Sequence, residues 1–220
     1  PRGKKRAPLP GFARGYGAFR WKHRAALVKR PLWQWISRFG LPVLGALIIG
    51  PLGSRLGGAV GAVMAALALL QGARFLAGPV GEEYRTLSRL GRLPATVREF
   101  LSGTLLEISL WLLLPCTAAW ALWGAGWLAV LGGPGTALIL AVLALQNEWA
   151  GFMASLTVGK LAGDASFAYI ALSGVVLAGH YLMGLGSPLA MLALTLAGAL
   201  LGGFLVLLRL YGDLLLWRAG

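Results

Sequence analysis

PVGEEYRTLSRLGRLPATVREF, residues 79–100, is the one long polar interruption in an otherwise almost continuous apolar run from Phe39 to Tyr211. As a helix from Glu82 to Leu93, it sets Arg85, Arg89 and Arg92 on one face at i, i+4 and i+7. Tyr84, Leu87 and Gly91 fall on another face at the same spacing. Pro94 has no N–H, and its ring clashes with the preceding turn, so the helix ends there. Thr96 and Glu99 then stand at capping-box spacing, and the next helix starts with them and runs into apolar sequence. The stretch predicts a short amphipathic helix on the water side of a membrane, flat or projecting, just before a spanning helix. It is also where a water-side partner would push.

Composition supports a membrane setting. Hydrophobic residues make up 58% of the 220, charged residues 12%, and there are 33 glycines. Soluble domains carry about 25% charged residues. The net charge of +13 would suggest nucleic acid in a soluble chain, but its distribution gives a simpler account without nucleic acid. Putting residues 2–38, 74–98, Lys160 and the Arg209–Arg218 end on one side collects 19 of the 20 basic residues, leaving only Arg55 opposite. That asymmetry follows the positive-inside rule with both termini cytoplasmic, where anionic headgroups attract each nearby basic side chain. The single Cys116 excludes a disulfide framework within the chain and reads as a small buried hydrophobe. The sequence begins without Met, so a processed chain or a segment of a longer protein is expected. Its basic start is too long for a signal peptide.

The expected fold is an all-α integral membrane protein with six transmembrane helices. Residues 1–38 form a basic cytoplasmic lead and an interfacial elbow helix, and residues 39–220 form the spans. In the elbow, Tyr16, Phe19, His23 and Ala26 or Leu27 make a narrow apolar stripe among Arg20, Lys22, Arg24, Lys29 and Arg30. Pro31 breaks it, and Trp33 and Trp35 follow where indoles favour a headgroup boundary. Phe19, Arg20, Arg24, Trp33 and Trp35 are the expected interface residues. The first span, Phe39–Ser54, has only 16 residues and holds Pro42 and Pro51. At 1.5 Å per residue it covers about 24 Å of a ~30 Å core, so it borrows from Leu32–Ser37, kinks or re-enters. The second span is Leu56–Ala77, and the third is Phe100–Trp123 with Trp120, Trp123 and Trp127 at the outer boundary. Gly132-Gly133-Pro134-Gly135 reads as a turn. The fourth, fifth and sixth spans follow at Thr136–Val158, Ser166–Met183 and Leu189–Leu210. Small-residue spacings at Gly53/Gly57/Gly61 and Gly198/Gly202 are weak packing signals.

Ionisable residues inside spans are functional candidates because burying them is costly. Glu148, directly after Gln146 and Asn147, is the clearest: it lines a polar path, pairs with a basic group, or stays protonated in a helix contact. Glu107 is expected near the inner surface, paired with Arg98 or Arg74. Together Glu107, Gln146, Asn147 and Glu148 are the candidate intramembrane polar path. No catalytic set, cofactor or metal is indicated. His23 and His180 lack companions, and the positions around Gly159-Lys160 depart from a phosphate loop at Ala154 and Leu161.

An amphipathic elbow helix, six spans, and a polar helix between spans two and three resemble the permease subunit of a bacterial ATP-binding-cassette exporter of the type-two class. The similarity covers about Gly15–Trp217. It lies most of all in GEEYRTLSRLGRLPATVREFLSGTLLE, where Glu82 and Glu83, then Leu87 and Leu90, lead to Pro94 and Gly103. The opening GFARGYGAFRWKHRAALVKRPL is similar to one half of a larger exporter. The short first span and the brief Gly184–Pro188 connection depart from the pattern, which leaves the substrate unnamed. The resemblance implies that residues 79–100 are a coupling helix, with Glu82, Glu83, Arg85, Arg89 and Arg92 contacting an ATPase subunit and Tyr84 and Leu87 as apolar anchors. It further implies a second permease half or a homodimer, membrane lipid around the spans, and the bacterial inner membrane as location. The chain itself would not be an enzyme. The alternative is a non-transporting membrane anchor or assembly subunit. An intramembrane enzyme is disfavoured, since no His, Asp or Ser set clusters at one depth.

Overall fold

A computed structural model describes residues 15–48, 59–87, 96–122, 126–156 and 203–219, with the single positions 197 and 200. Among these residues the chain is all helical. Helix α1 is Tyr16–Val28. Helix α2 begins at Leu32–Trp35, widens into a π-helical turn at Ile36–Gly40, and continues as α-helix over residues 41–48. Then come α3, Ala59–Leu87, α4, Val97–Trp120, and α5, Ala129–Leu156, which a short 3-10 turn at Gly126–Leu128 precedes. Helix α6 is Gly203–Ala219. Among the described residues, two helices are long and apolar enough to cross a membrane, Val97–Trp120 and Ala129–Phe152. The expected fifth span and most of the first part of the sixth, residues 189–202, lie outside the described residues, as do the Gly53/Gly57 and Gly198/Gly202 pairs.

Helix α4 starts where the sequence predicted. Thr96 accepts from the Glu99 N–H at 3.1 Å, and the Glu99 carboxylate accepts from the Thr96 N–H at 2.8 Å. Two backbone donors that a helix start leaves orphaned are thereby satisfied. Helix α2 is unbroken from Leu32 to residue 48, so Leu32–Ser37 continues as helix into the expected first span.

Two expectations are corrected. The polar helix is not separate from the second span, because α3 runs without a break through Pro79 to Leu87. Pro79 withholds the N–H that would bond the Phe75 carbonyl four residues back. That carbonyl instead accepts from Nη1 of Arg30 at 2.9 Å, so the helix continues at no loss of a buried hydrogen bond. Nor is Gly132–Gly135 a turn; it lies within α5. A side chain on Gly132 would run into the Trp120 ring, and one on Gly133 into Thr117. The missing Cβ atoms let α4 and α5 lie in close contact, and that packing outweighs the poor local helix propensity. Trp120 is consequently turned inward, donating from Nε1 to Thr136 Oγ1 at 2.9 Å. Of the three expected boundary indoles, Trp127 is exposed, and Trp123 lies outside the described residues.

The core sits among α3, α4 and α5, with Leu69, Leu76, Ile108, Leu112, Cys116, Ala141 and Leu145 buried. Helix α1 lies across one end. Its stripe of Phe19, His23 and Leu27 faces the bundle rather than a membrane plane: His23 and Leu27 are buried, and Phe19 meets Phe100 edge-on at 5.3 Å.

Candidate functional site

The chemistry collects where α1 packs against α3 and α4. Two ion pairs fasten it. Arg20 Nε contacts Glu107 Oε2 at 3.2 Å, and Lys22 Nζ contacts Glu83 Oε1 at 3.1 Å. Glu107 is buried and also accepts from Trp111 Nε1 at 3.1 Å. It therefore pairs with α1, not with Arg98 or Arg74 as expected, because α1 brings a guanidinium from 87 residues upstream. Burial pushes the Glu83 carboxyl up from its ordinary value, against the opposing pull of Lys22.

Between these pairs lies His23. Both ring nitrogens are buried without a hydrogen-bond partner among the described residues. The Leu76 carbonyl is near enough to favour the protonated ring slightly, but falls outside hydrogen-bond geometry. Burial dominates, helped by Arg30, and pushes the imidazole down to about 4.

Behind α1 the aromatic rings form two blocks. Tyr84, fully buried, meets Phe100, Trp149 and Phe152 at 5.8, 5.2 and 6.2 Å between centroids. Its hydroxyl has no partner among the described residues. Burial first, then Glu148 and Glu83, push its ionisation upward. Trp35 meets Phe39, Phe75 and Trp111 at 5.7, 5.2 and 5.2 Å and donates to the Leu27 carbonyl at 3.2 Å. That indole bond ties the start of α2 to the end of α1. Trp149 Nε1 donates to Asp213 Oδ2 at 3.3 Å, which joins α6 to the same end.

Beside the second block opens a cleft of about 520 Å³, walled by α2, α3 and α5 and lined by Arg30, Arg38, Arg74, Ser37, Gln71 and Glu148 among others. Arg30 lies 4.7 Å over the Phe75 ring while bonding the Phe75 carbonyl. With the Asn147 amide oxygen turned toward it, Arg74 donates from Nε at 3.1 Å and Nη2 at 3.3 Å. Glycines make the room: a Cβ at Gly78 would meet Arg30, and one at Gly81 would meet the Glu148 carboxylate.

The expected site residues are thus divided. Glu82 is exposed, whereas Glu83 and Tyr84 are buried and face the bundle. An ATPase cannot reach Tyr84 as an anchor in this arrangement, because Phe100, Trp149 and Phe152 already cover it. Arg85 and Leu87 belong to the end of α3, and Arg89 and Arg92 lie outside the described residues. Among the expected interface residues, Arg24 and Trp33 point outward, while Phe19, Arg20 and Trp35 are engaged inside. In the polar run, Gln146 is buried, Asn147 bonds Arg74, and Glu148 lines the cleft. The sequence reading missed the joining of Arg30, Arg38 and Arg74. The one available signal was Pro79, which orphans the Phe75 carbonyl and calls for a donor. Comparison with known protein families, curated proteins and solved structures finds no match for this chain.

Proposed function

We propose that this chain is the membrane-embedded permease half of an ATP-driven exporter, powered by a separate ATP-binding subunit and paired with a second permease half. On this reading it resides in a bacterial cytoplasmic membrane with both termini on the ATPase side. One observation carries it: α1 is pinned at once to the polar end of α3, through Lys22–Glu83, and to α4, through Arg20–Glu107. Because α3 is one continuous rod through Leu87, a push on residues 82–87 moves α3 directly. The pinned α1 passes the same push to α4, a helix apolar and long enough to span. The docking face is assigned to Glu82, Arg85, Leu87, Arg89 and Arg92. Glu83 and Tyr84 pass the motion inward.

Affinity purification of the chain from its native membrane tests this. A P-loop ATPase is expected to co-purify, and to be lost from the Leu87→Asp/Arg89→Ala variant while the chain still inserts. Recovery with other membrane proteins and no ATPase would overturn the reading in favour of an anchor or assembly subunit.

A further inference from the structure

The cleft beside α1 is not needed for coupling, and its lining is unbalanced. Arg30, Arg38 and Arg74 meet one lining carboxylate, Glu148, and Glu82 also acts on Arg30, which leaves one positive charge over. None of the three arginines has exhausted its donors. Arg30 uses Nη1 on the Phe75 carbonyl, and Arg74 uses Nε and Nη2 on Asn147. Arg38 is exposed and makes no ion pair or hydrogen bond among the described residues. Ser37 and Gln71 add a hydroxyl and an amide donor to the same lining. Guanidinium groups in this number suit a phosphate, which accepts paired N–H bonds.

The helices that wall the cleft carry apolar stripes leading away from it. On α2, Leu41, Leu44 and Ile48 follow Ser37 at i+4, i+7 and i+11, and all three are exposed. On α3, Leu67 and Met64 precede Gln71 at i−4 and i−7, and both are exposed. The two helices pack together along this length, with Gly72 against Phe39 and Val43. Each stripe therefore starts at the basic cleft and continues along its helix as hydrocarbon.

We propose that this cleft and its two stripes bind an anionic phospholipid, with the headgroup phosphate between Arg30, Arg38 and Arg74 and the acyl chains along Leu41, Leu44, Ile48, Leu67 and Met64. A free phosphate ion would use the arginines but not the stripes. A phospholipid uses both, and basic clefts on the cytoplasmic side of membrane helices hold anionic headgroups. The inference rests on the membrane setting of the proposed function, not on the ATPase.

The test uses the full chain, purified in detergent, stripped of lipid, and titrated with dioleoylphosphatidylglycerol while lipid adducts are counted by native mass spectrometry. One saturable adduct is expected. Arg38→Gln changes an exposed side chain with no described partner, so the fold stays intact, and it should weaken the adduct about tenfold, the loss of one charge-assisted contact. Leu44→Gln should weaken it without altering affinity for inorganic phosphate, and Arg24→Gln, on the outer side of α1, should leave it unchanged. Equal lipid binding in wild type and Arg38→Gln would overturn the site. Displacement by millimolar phosphate, together with indifference to Leu44→Gln, would mean a free-anion site and overturn the lipid. Release of the chain from membranes by alkaline carbonate would overturn the membrane setting itself, separately from either result.

Discussion

Pro79 takes one hydrogen-bond donor out of α3, and a guanidinium 45 residues away in sequence from the freed carbonyl replaces it. Removing Arg30 should therefore leave the Phe75 carbonyl unpaired, and Arg30→Met is expected to destabilise the fold by about 1–3 kcal/mol. Pro79→Ala restores the missing N–H. In that background the same Arg30→Met change should cost clearly less, and a double-mutant cycle by thermal unfolding in detergent measures the difference. Equal costs in both backgrounds would show that the carbonyl bond is not what Arg30 contributes. His23 gives a second test. Its folded-state value, about 4, lies below the ordinary value of about 6.5, so the unfolded chain takes up the proton first. Stability should be full above pH 6.5 and fall as pH drops toward 4, at up to about 1.4 kcal/mol per unit. His23→Leu should flatten that slope in unfolding curves recorded at pH 7 and 4.5. Neither feature could be read with precision from sequence. The apolar stripe marked His23 as facing something, but not that its neighbours would offer no hydrogen bond.

Helices α4 and α5 approach closely at Gly133, where an added Cβ would meet Thr117 main chain as well as side chain. Main chain cannot swing aside, so Gly133→Ala is expected to destabilise the pair by about 1–3 kcal/mol. Gly151, on the same helix, has nothing within 4 Å of an added Cβ. Gly151→Ala should be neutral or raise stability by up to about 1 kcal/mol, since alanine favours helix. Melting temperatures of the two variants would decide it, and a Gly133→Ala protein as stable as Gly151→Ala would remove the close contact from the account. The same site explains why local reading failed there. Gly-Gly-Pro-Gly carries turn chemistry in isolation, and only the facing Trp120 and Thr117 make it helical. Where the local signal and the packing agree, as at Thr96 and Glu99, the helix start was legible to the residue.

For the chain taken together, apolar run lengths were enough to identify the helical character of the described residues and two helices, α4 and α5, long and apolar enough to cross a membrane. They were not enough to show that α1 folds back on the bundle, because a basic amphipathic stripe reads the same whether it faces lipid or protein. Sidedness remains a prediction of the charge distribution. In a Cys116→Ala background, a cysteine at Arg24 or Leu215 should react with an impermeant maleimide only from the cytoplasmic side, and one at Trp127 only from outside. Labelling of Arg24 and Trp127 positions from the same face would overturn the topology.

The contacts that hold α1 have a further consequence, for the order of assembly. Trp120 and Thr136 lie 16 residues apart, so the α4–α5 pair closes a short loop. Arg20 must wait for Glu107, which is 87 residues further on. Closing the longer loop costs more entropy and rewards the chain later. Although α1 is made before α4 and α5, it is the last of the three to be seated. Until Glu107 emerges, Arg20 lacks the carboxylate it pairs with in the finished fold.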